Sequence, residues 1–333
     1  MSTIIERTSY ARAGLLGNPS DGYFGKTIAL AIRNFSARVT IIQTPDIRIE
    51  AGREDLDVYA DLPAFLEQIS RYGYYGGVRL IKAALKTFSE ACSKGGITLP
   101  DKKFTLNYRS DIPRQLGMGG SSAIIVAAMR ALEAFFGITL EEEFLPTIVL
   151  AAEREELDIN AGFMDRVIQV LGGCVFMDLN REAVEKTGRG VYLRMDPELV
   201  PPLYLAYKPV LGKVSGAVLN PIREAYERGD KHTLQMLEHI AGIAEEGKDV
   251  LRRRDHDRLF QLMNENFDCR SRIMPITRSN MELIETARSC GASAKFAGSG
   301  GAIIGMYSSD KMFECLVSEL GRLDAVVIKP DIG

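Results

Sequence analysis

The sequence predicts an α+β protein of two domains, and three observations support this class. Strand-like and helix-like segments alternate along 333 residues, and a hydrophobic content of 46% can fill one large or two ordinary cores. Prolines cluster in DPELVPPLYLAYKPV, which predicts a boundary near residue 198 and therefore domains 1–198 and 199–333. After that boundary, the predicted order strand, helix, helix, strand, helix, strand is typical of a ferredoxin-like α+β sandwich.

The first domain is predicted to combine strands with amphipathic helices. Residues 28–50 are rich in strand-forming residues, and KFTLNYR alternates as a half-buried strand does. Helices are predicted over GVRLIKAALKTFSEAC and after the loop IPRQLGMGGSSA, because apolar residues recur there at spacings of three and four. Thr139 and Glu142 form a capping box for the next helix, which Pro146 breaks or restarts. GGCVFMDL predicts another strand.

The second domain begins with a predicted strand over Leu203–Tyr207. Polar helices are expected between residues 214 and 290, followed by the glycine cluster FAGSGGAIIGMY. A helix near residues 310–320 and the strand AVVIKP close the chain.

Composition argues against several classes of partner. Basic and acidic residues are balanced at 41 and 44, and the net charge is -3. The sequence therefore lacks the excess of positive charge that is typical of nucleic-acid binding. No window approaches the roughly 18 apolar residues of a membrane helix. The first residues, MSTIIERTSYARAG, lack a signal-peptide core. The expected partner is a small molecule.

Histidine and cysteine usage narrow the chemistry further. The three histidines all lie in one charged, helix-like region, which supports neither a histidine metal site nor a Ser-His-Asp hydrolase. Five scattered cysteines without a CxxC pair predict reduced thiols in a cytoplasm, and argue against disulfides or a thiolate zinc site. They are Cys92, Cys174, Cys269, Cys290 and Cys315.

The glycine-rich loop at residues 112–123 suits an anion. Glycine lets backbone N–H groups approach a ligand closely, and a helix start adds unpaired donors and partial positive charge. Ser121 and Ser122 can cap that helix, and a hydroxyl there can also reach a metal bound to phosphate. A tight strand-to-helix turn with an ordinary serine cap explains the same residues, so the loop alone leaves both interpretations open.

Two other phosphate-binding motifs do not fit. GIAEEGKD at residues 242–249 resembles a P-loop, but Asp249 stands where the metal-binding hydroxyl belongs, and two glutamates would repel phosphate. Its surroundings also predict helix. The dinucleotide pattern GxGxxG is absent from the chain.

Three segments, in order, resemble the GHMP kinases, a family that includes galactokinase, homoserine kinase and mevalonate kinase. ARAGLLGNPSD resembles the family's N-terminal substrate motif, IPRQLGMGGSSA its phosphate loop, and KFAGSGGA its C-terminal glycine motif. Together with GYYGGVRL, these segments also resemble plant-type glucuronokinases, from about residue 10 to about residue 305. The resemblance implies an N-terminal ribosomal-protein-S5-like α/β domain followed by the ferredoxin-like domain.

The resemblance also implies that ATP and Mg²⁺ bind between the phosphate loop and the C-terminal glycine motif. The loop has one glycine more than the common GLGSSA form, and alignment on Ser-Ser-Ala makes Ser122 the metal-contacting hydroxyl, unless the alignment shifts by one. The implied nucleotide-binding residues are Pro113, Gly117, Met118, Gly119, Gly120, Ser121, Ser122, Ala123, Gly298, Ser299 and Gly300.

Two carboxylates and one arginine match the family's catalytic residues. Glu153 lies among alanines and aliphatic residues, where a carboxylate needs a partner such as Mg²⁺ unless it faces solvent. Asp165, twelve residues later, matches the aspartate that accepts or orients the acceptor hydroxyl; it could instead cap a helix. Arg12 matches the basic residue near the phosphoryl group, and could also simply pair with Asp165.

The implied acceptor is a sugar acid. Gly17 is followed by Asn18 rather than by the usual Glu-His, while Asp21 falls where galactokinases place a sugar-hydroxyl acceptor. A carboxylate on the sugar requires a planar two-donor cation, for which Arg79, Arg114 and Arg166 are candidates. The full set of expected substrate-binding residues is Asn18, Asp21, Tyr75, Gly76, Arg79 and Arg166.

The resemblance therefore implies a kinase that converts D-glucuronate and ATP into glucuronate 1-phosphate and ADP. Within the same family, another sugar or a mevalonate-like alcohol is an alternative acceptor, because a fold does not determine a substrate. A protein that senses ATP and sugar without turnover is the alternative from another class. The expected assembly is a monomer or homodimer in the cytoplasm.

Overall fold

The computed structural model describes residues 4–50, 76–209 and 216–333, and its strands form two sheets. The first sheet has the order β3-β4-β2-β5-β6, with β1 paired to β2, and only β3 and β4 run parallel. Its strands are β1 (Ile4–Leu16), β2 (Lys26–Gln43), β3 (Arg48–Ile49), β4 (Phe104–Ser110), β5 (Cys174–Asp178) and β6 (Val191–Met195).

The 18-residue strand β2 organises this sheet, and its aliphatic and β-branched residues favour an extended chain. Its first part pairs with β5 and its second part with β4, while β1 runs along the whole strand. The pairing of β1 shifts register between Tyr10 and Ala11, and again between Gly14 and Leu16. These irregularities flank Arg12, and bulges of this kind re-aim side chains next to functional sites.

The second sheet is antiparallel and has the order β10-β7-β9-β8. Its strands are β7 (Leu203–Tyr207), β8 (Lys295–Phe296), β9 (Ala302–Met306) and β10 (Val326–Ile328). The chain leaves the first sheet at Met195 and enters the second at Leu203. The limits 1–198 and 199–333 stay a prediction, because one apolar cluster contains residues of both sheets, such as Leu30 and Leu205.

Ten α-helices lie within the described ranges, and the central one begins directly after the glycine-rich loop. This helix, α2, packs on β1 and β2 and against three neighbouring helices, so its apolar residues are buried nearly all round. The helices are α1 (Gly77–Lys94), α2 (Gly120–Phe136), α3 (Leu145–Arg154), α4 (Met164–Leu171), α5 (Arg181–Thr187), α6 (Gly216–Glu227), α7 (Lys231–Arg253), α8 (His256–Ser271), α9 (Arg278–Ser289) and α10 (Asp310–Gly321). None of the helices in these ranges combines the length and the apolar character needed to span a bilayer.

The main helices and strands were predicted correctly, and the P-loop-like GIAEEGKD lies inside α7 as expected. The capping box at Thr139 was wrong: α3 begins only at Leu145, with Pro146 in its first turn, because proline fits a helix start better than a helix interior. The edge strand β6 was missed, and the full length of the long strand β1 was not predicted. Pairing along β2 holds β1 extended, and its glycine and arginine interrupt the alternation by which a strand is recognised.

The prediction of five reduced thiols was also wrong. Cys290, just after α9, forms a disulfide with Cys315 on α10, with their Cα atoms 5.8 Å apart. The two residues are 25 positions apart, and only the packing of α9 against α10 brings them together. Cys92, Cys174 and Cys269 are free and buried, as expected for small core residues. The cysteines therefore no longer argue for a reducing compartment.

Candidate active site

A pocket of about 510 Å³ lies between the glycine-rich loop, the N-terminal motif and the C-terminal glycine motif. Its wall contains Arg12, Asn18, Asp21, Gly117–Ser121, Asp165, Arg166, Gly298 and Ser299. These residues come from segments as far apart as β1 and β8, so the tertiary fold brings the three motifs to one place. The wall mixes four arginines with aspartates and main-chain groups, which is the composition of a polar ligand site.

The glycine-rich loop presents a row of free backbone amides. The carbonyl groups of residues 117–119 accept bonds from Arg12, from Gln169 and from the next helical turn. The N–H groups of residues 117–122, in contrast, have no acceptor anywhere in the described part of the chain. Gly119 precedes α2 in a left-handed conformation with φ of 75°, and no side chain caps the helix. Such a row of donors at a helix start is suited to an anion.

Both serines differ from the predicted caps. Ser121 Oγ donates to Glu153 Oε1 at 2.8 Å, and Ser122 Oγ donates to the carbonyl of Gly119 at 3.1 Å. Ser121 belongs to the pocket wall, whereas Ser122 is fully buried beneath it. Since both lie inside the first turn of α2 rather than before it, neither can act as an N-cap.

The two glycine motifs pack directly against each other. A Cβ atom added to Gly298 would lie 2.0 Å from the carbonyl oxygen of Gly117, and one added to Gly119 would lie 2.7 Å from Gln169 Nε2. Both positions therefore require glycine, the second also because of its positive φ. Arg12 fills the space between the motifs, since its Nη1 donates to the carbonyls of Gly117 and Ala297.

Arg12 and Asp165 form a bidentate ion pair at the floor of the pocket. Nε of Arg12 lies 2.6 Å from one carboxylate oxygen of Asp165, and Nη2 lies 2.8 Å from the other. Burial by itself would raise the pKa of Asp165, but the charges of Arg12 and Arg166 and the hydrogen bonds from Arg12 lower it. Asp165 is therefore a carboxylate at neutral pH. It lies in the first turn of α4, whose N-cap is Phe163, so it is not a cap.

Glu153 and Arg166 form a second buried pair, next to Ser121 in the first turn of α2. Arg166 Nε donates to Glu153 Oε2 at 2.5 Å, and Arg166 Nη2 contacts the same oxygen. Burial opposes the charge of Arg166, yet the charges of Glu153 and Asp165 raise its pKa. Glu153 is completely buried, whereas Glu155 on the same helix end is exposed.

The oxygens of Ser121 and Glu153 are of the hard type that Mg²⁺ takes alongside phosphate and water, although Glu153 is completely buried and does not itself line the pocket. They lie 2.8 Å apart, at the contact between α2 and α3 beside the free amides. Within the described ranges, no group of three or more acidic, histidine or cysteine side chains could hold a metal by itself. A metal at this place would therefore need a phosphate group to supply some of its ligands.

Asn18 and Asp21 belong to the wall of the same pocket. Asp21 Oδ2 accepts a hydrogen bond from the amide of Met164 at 3.3 Å, and its other oxygen has no hydrogen-bond partner in the described chain. Burial, followed by the charge of Asp165, raises the pKa of Asp21 from 3.8 to about 6. Asp21 is thus a hydrogen-bond acceptor with unused capacity at neutral pH.

Residues of the second domain hold this N-terminal segment in place. Asn266 on α8 accepts a bond from the amide of Gly17 at 2.7 Å and donates to the carbonyl of Asn18 at 3.0 Å. Lys295 is buried, and its ammonium group donates to Asn18 Oδ1 and the carbonyl of Gly14, both at 2.6 Å. Burial, aided by the charges of Arg270 and Arg12, lowers the pKa of Lys295 well below its ordinary value.

The structure brings most of the predicted site residues together, but not all of them. Pro113 and Arg166 line the pocket, Ala123 and Gly300 stand just outside its wall, and Gly76 caps α1. Arg79 is exposed and does not line the pocket, while Arg114 lines it from an exposed position. Tyr75 falls outside the described residues. Their roles in binding remain predictions.

Sequence reasoning missed Arg270, Asn266 and Lys295. In α8 the buried positions include Leu259, Met263 and Phe267, which recur at the spacing of one helical face. Asn266 and Arg270 lie on that same face, at 0% and 2% exposure. Two polar residues on the apolar face of a helix are the signal that could have identified them.

Comparison with known proteins defines the class of this chain. The N-terminal domain of GHMP kinases matches residues 79–173, and the C-terminal domain of GHMP kinases matches residues 248–321. Glucuronokinase 1 of Arabidopsis thaliana is 42% identical over 90% of this chain and 84% of its own length. Probable glucuronokinase 2 of the same plant is 40% identical, over 98% of this chain and 91% of its own.

The chain therefore belongs to the GHMP kinase family and is a phosphotransferase with an alcohol group as acceptor. The crystal structure of Lactococcus lactis galactokinase complexed with galactose superposes with a TM-score of 0.76 at 15% identity, and covers 99% of this chain and 94% of that one. The predicted class, an α+β fold with the two GHMP kinase domains, is confirmed.

Proposed function

We propose that this kinase transfers the γ-phosphate of ATP to the anomeric hydroxyl of D-glucuronate, which yields glucuronate 1-phosphate and ADP. The observation that carries the proposal is the row of six free amides at residues 117–122, next to the Arg12–Asp165 pair. Two relatives of about 40% identity that are named as glucuronokinases support glucuronate as the acceptor.

The free amides would hold the β- and γ-phosphates of ATP, and the positive end of α2 would add to their attraction. The C-terminal motif would close the other side, where Gly298 and Ser299 line the pocket. Glu153 and Ser121 would hold Mg²⁺, in place of the Ser122 expected from the sequence. The metal would neutralise charge on the phosphate oxygens.

Asp165 would orient the acceptor by taking a hydrogen bond from its anomeric hydroxyl. As the hydroxyl oxygen bonds to the γ-phosphorus, the bond from that phosphorus to the bridging oxygen of ADP breaks. The lowered pKa makes Asp165 a weak base. A late proton transfer suits such a base, because the transition state of phosphoryl transfer is loose and needs little nucleophile activation. Arg12, held against Asp165, would balance the negative charge that gathers at the transferring group.

Asn18 and Asp21 would bind hydroxyl groups of the sugar ring. Both side chains line the pocket, and Asp21 retains an unused acceptor oxygen. Their segment is held by Asn266 and Lys295 of the second domain. Closure of the two domains on each other would therefore determine where the sugar lies relative to Asp165.

An acceptor screen tests this function. The purified protein is incubated with ATP, Mg²⁺ and one acceptor at a time (glucuronate, galacturonate, glucose, galactose or mevalonate), and ADP release is followed. Asp165→Asn protein prepared in parallel measures contaminating ATPase. Glucuronate should give the highest kcat/KM, and phosphorus NMR should identify an anomeric phosphate.

Each contrary outcome has a distinct meaning. Turnover of a neutral sugar or of mevalonate, but not of glucuronate, would reject the acceptor while leaving a kinase. Tight binding of ATP and sugar without turnover of any acceptor would indicate a sensing protein instead.

A further inference from the structure

Arg270, on the buried face of α8, forms part of the pocket wall and is only 2% exposed. Its Nη1 donates to the carbonyl of Gly298 at 2.6 Å, and its Nε points at the sulfur of Met274 at 3.1 Å. The guanidinium carbon lies 5.2 Å from the centre of the Phe296 ring. These contacts fix the orientation of the guanidinium plane.

The third nitrogen of Arg270, Nη2, has no hydrogen-bond partner among the described residues. Its Nη2 is buried and lacks a hydrogen-bond acceptor, and no carboxylate of the described chain lies within ion-pair distance of the side chain. An unpaired guanidinium inside a protein is costly, and such groups are rarely left without a counterion. A missing anion is therefore the simplest account of this arginine.

The charges around the pocket indicate where that anion belongs. Arg12 pairs with Asp165, and Arg166 pairs with Glu153. Arg114 and Asp158 also line the wall, but both are exposed. Of the other charged residues of the wall, Arg270 keeps an unused donor and Asp21 an unused acceptor. A ligand that complements both must carry an anionic group together with hydroxyl groups, as a sugar acid does.

We propose that Arg270 binds the carboxylate of the sugar-acid acceptor, and that this contact selects sugar acids over neutral sugars. The proposal rests on the function proposed above and names its specificity-determining residue, which is none of the arginines expected from the sequence. Arg114 and Arg79 are exposed, and Arg166 already has its carboxylate partner. The planar fork of an arginine suits a carboxylate better than the single charge of a lysine does.

The test compares two acceptors that differ only in charge, glucuronate and glucuronamide, in which a neutral amide replaces the carboxylate. Arg270→Met and Arg270→Lys are the test variants. Arg272→Met is the control, because Arg272 lies two residues further along, is exposed and does not line the pocket. For each protein kcat/KM is measured with both acceptors, together with KM for ATP and the melting temperature.

Wild-type protein and Arg272→Met should prefer glucuronate strongly. Arg270→Met should lose about 10- to 150-fold in kcat/KM for glucuronate, as expected for a charged hydrogen bond. For the same variant, kcat/KM for glucuronamide should change little, and KM for ATP should stay the same. Arg270→Lys should keep part of the preference, since it keeps the charge without the fork.

Several results would overturn the proposal. If Arg270→Met keeps its preference for glucuronate, the carboxylate binds elsewhere, although glucuronate remains the acceptor. If both acceptors weaken equally and KM for ATP rises, Arg270 supports Gly298 or contacts a phosphate instead. If Arg270→Met does not fold, the other two proteins still test the contact. It is rejected if Arg270→Lys prefers glucuronate over glucuronamide as strongly as the wild type does, or if the wild type shows no such preference. A wild type that uses only neutral sugars rejects the proposed function as well.

Discussion

The two sides of the pocket differ in how their charges are neutralised. On the reaction side, Arg12 with Asp165 and Arg166 with Glu153 form buried pairs at 2.6 Å or less. On the acceptor side, Asp21 has one long contact to a backbone amide, and Nη2 of Arg270 has no partner in the described structure. The charged side chains of the reaction side are thus paired without a ligand, and only the backbone amides of residues 117–122 are open there. On the acceptor side, the charged side chains themselves hold an unused donor and an unused acceptor.

This difference indicates that the two sides have different functions: one stabilises the transition state and the other selects the ligand. Groups that stabilise a transition state act best when they are already oriented, because they then need no rearrangement during the reaction. Groups that select a ligand gain most when that ligand satisfies them for the first time, since an analogue that lacks the matching group leaves a buried polar atom unpaired. Five predictions test this comparison.

The largest effect is expected from Asp165→Asn on the reaction side. The change should lower kcat by about 10²- to 10⁴-fold, since the hydroxyl loses its charged acceptor. Calorimetry with a non-hydrolysable ATP analogue should show almost unchanged affinity. Asp158→Asn removes another carboxylate of the pocket wall and serves as control; a similar loss there would mean that only the net charge of the pocket matters.

The second largest effect is expected from Glu153→Gln. We expect the Mg²⁺ dependence of turnover to shift to higher concentration, and the free energy of unfolding to fall by about 3–5 kcal/mol because Arg166 loses its buried partner. Glu155→Gln, on an exposed residue of the same helix end, should change neither. Removing both members in Glu153→Gln/Arg166→Met should restore stability but not turnover. Full activity in Glu153→Gln would show that the pair only stabilises the fold.

Asp21→Asn probes the acceptor side through pH. Because burial raises the pKa of Asp21 to about 6, the wild type should lose this acceptor as the pH falls through 6, and KM for the sugar should rise there. The asparagine variant should have a raised KM that changes little between pH 5 and pH 8, a range that brackets about 6. Measuring KM against pH for both proteins decides the point. A wild-type KM that is flat through pH 6 would contradict it.

The ionised carboxylate of Asp21 should also lower the stability of the folded protein, whereas an ordinary ion-paired aspartate raises it. Its pKa in the folded chain lies above the usual 3.8, so the charged form destabilises the protein above pH 6, and this penalty disappears as the pH falls through 6 toward 3.8. At pH 7, Asp21→Asn should therefore be more stable by about 1–2 kcal/mol. Urea unfolding at pH 7 and pH 4.5 measures it; equal differences at both pH values would refute the assignment.

The smallest effect on catalysis should come from the disulfide, which lies outside both sides of the pocket. Replacing Cys290 and Cys315 by serine opens a loop of 25 residues, so the free energy of unfolding should fall by about 3 kcal/mol. Neither residue lines the pocket, so kcat and both KM values should stay as in the wild type. Reduction of the wild type should match the variant. A change in KM would show that α9 and α10 influence the site.

Much of the reaction side could be predicted from local sequence. The loop 117–122, Glu153 and Asp165 lie in contiguous motifs, and a glycine-rich helix start or a carboxylate among alanines carries its chemistry in a few neighbouring residues. The choice between Ser121 and Ser122 could not be predicted. Both serines belong to the same helical turn, and only the position of α3 decides which hydroxyl meets Glu153.

The acceptor side depends on contacts that no local pattern contains. Arg270 reaches the pocket from 249 residues beyond Asp21 in the chain, and Asn266 holds Gly17 across the same separation. Arginines inside the recognised motifs were therefore preferred over the one on the buried face of α8. The disulfide between Cys290 and Cys315 was missed for the same reason. The two cysteines are 25 residues apart, and their pairing depends on how α9 and α10 pack, which no local pattern predicts.

By itself, the sequence determined the α+β class, the main helices and strands, and the place of the glycine-rich loop before a helix, because periodicity, glycine placement and motif order are local properties of a chain. The tertiary structure alone decided which charges are paired and which remain open. Pairing depends on distances between remote segments and on burial, and burial is a property of the folded protein as a whole.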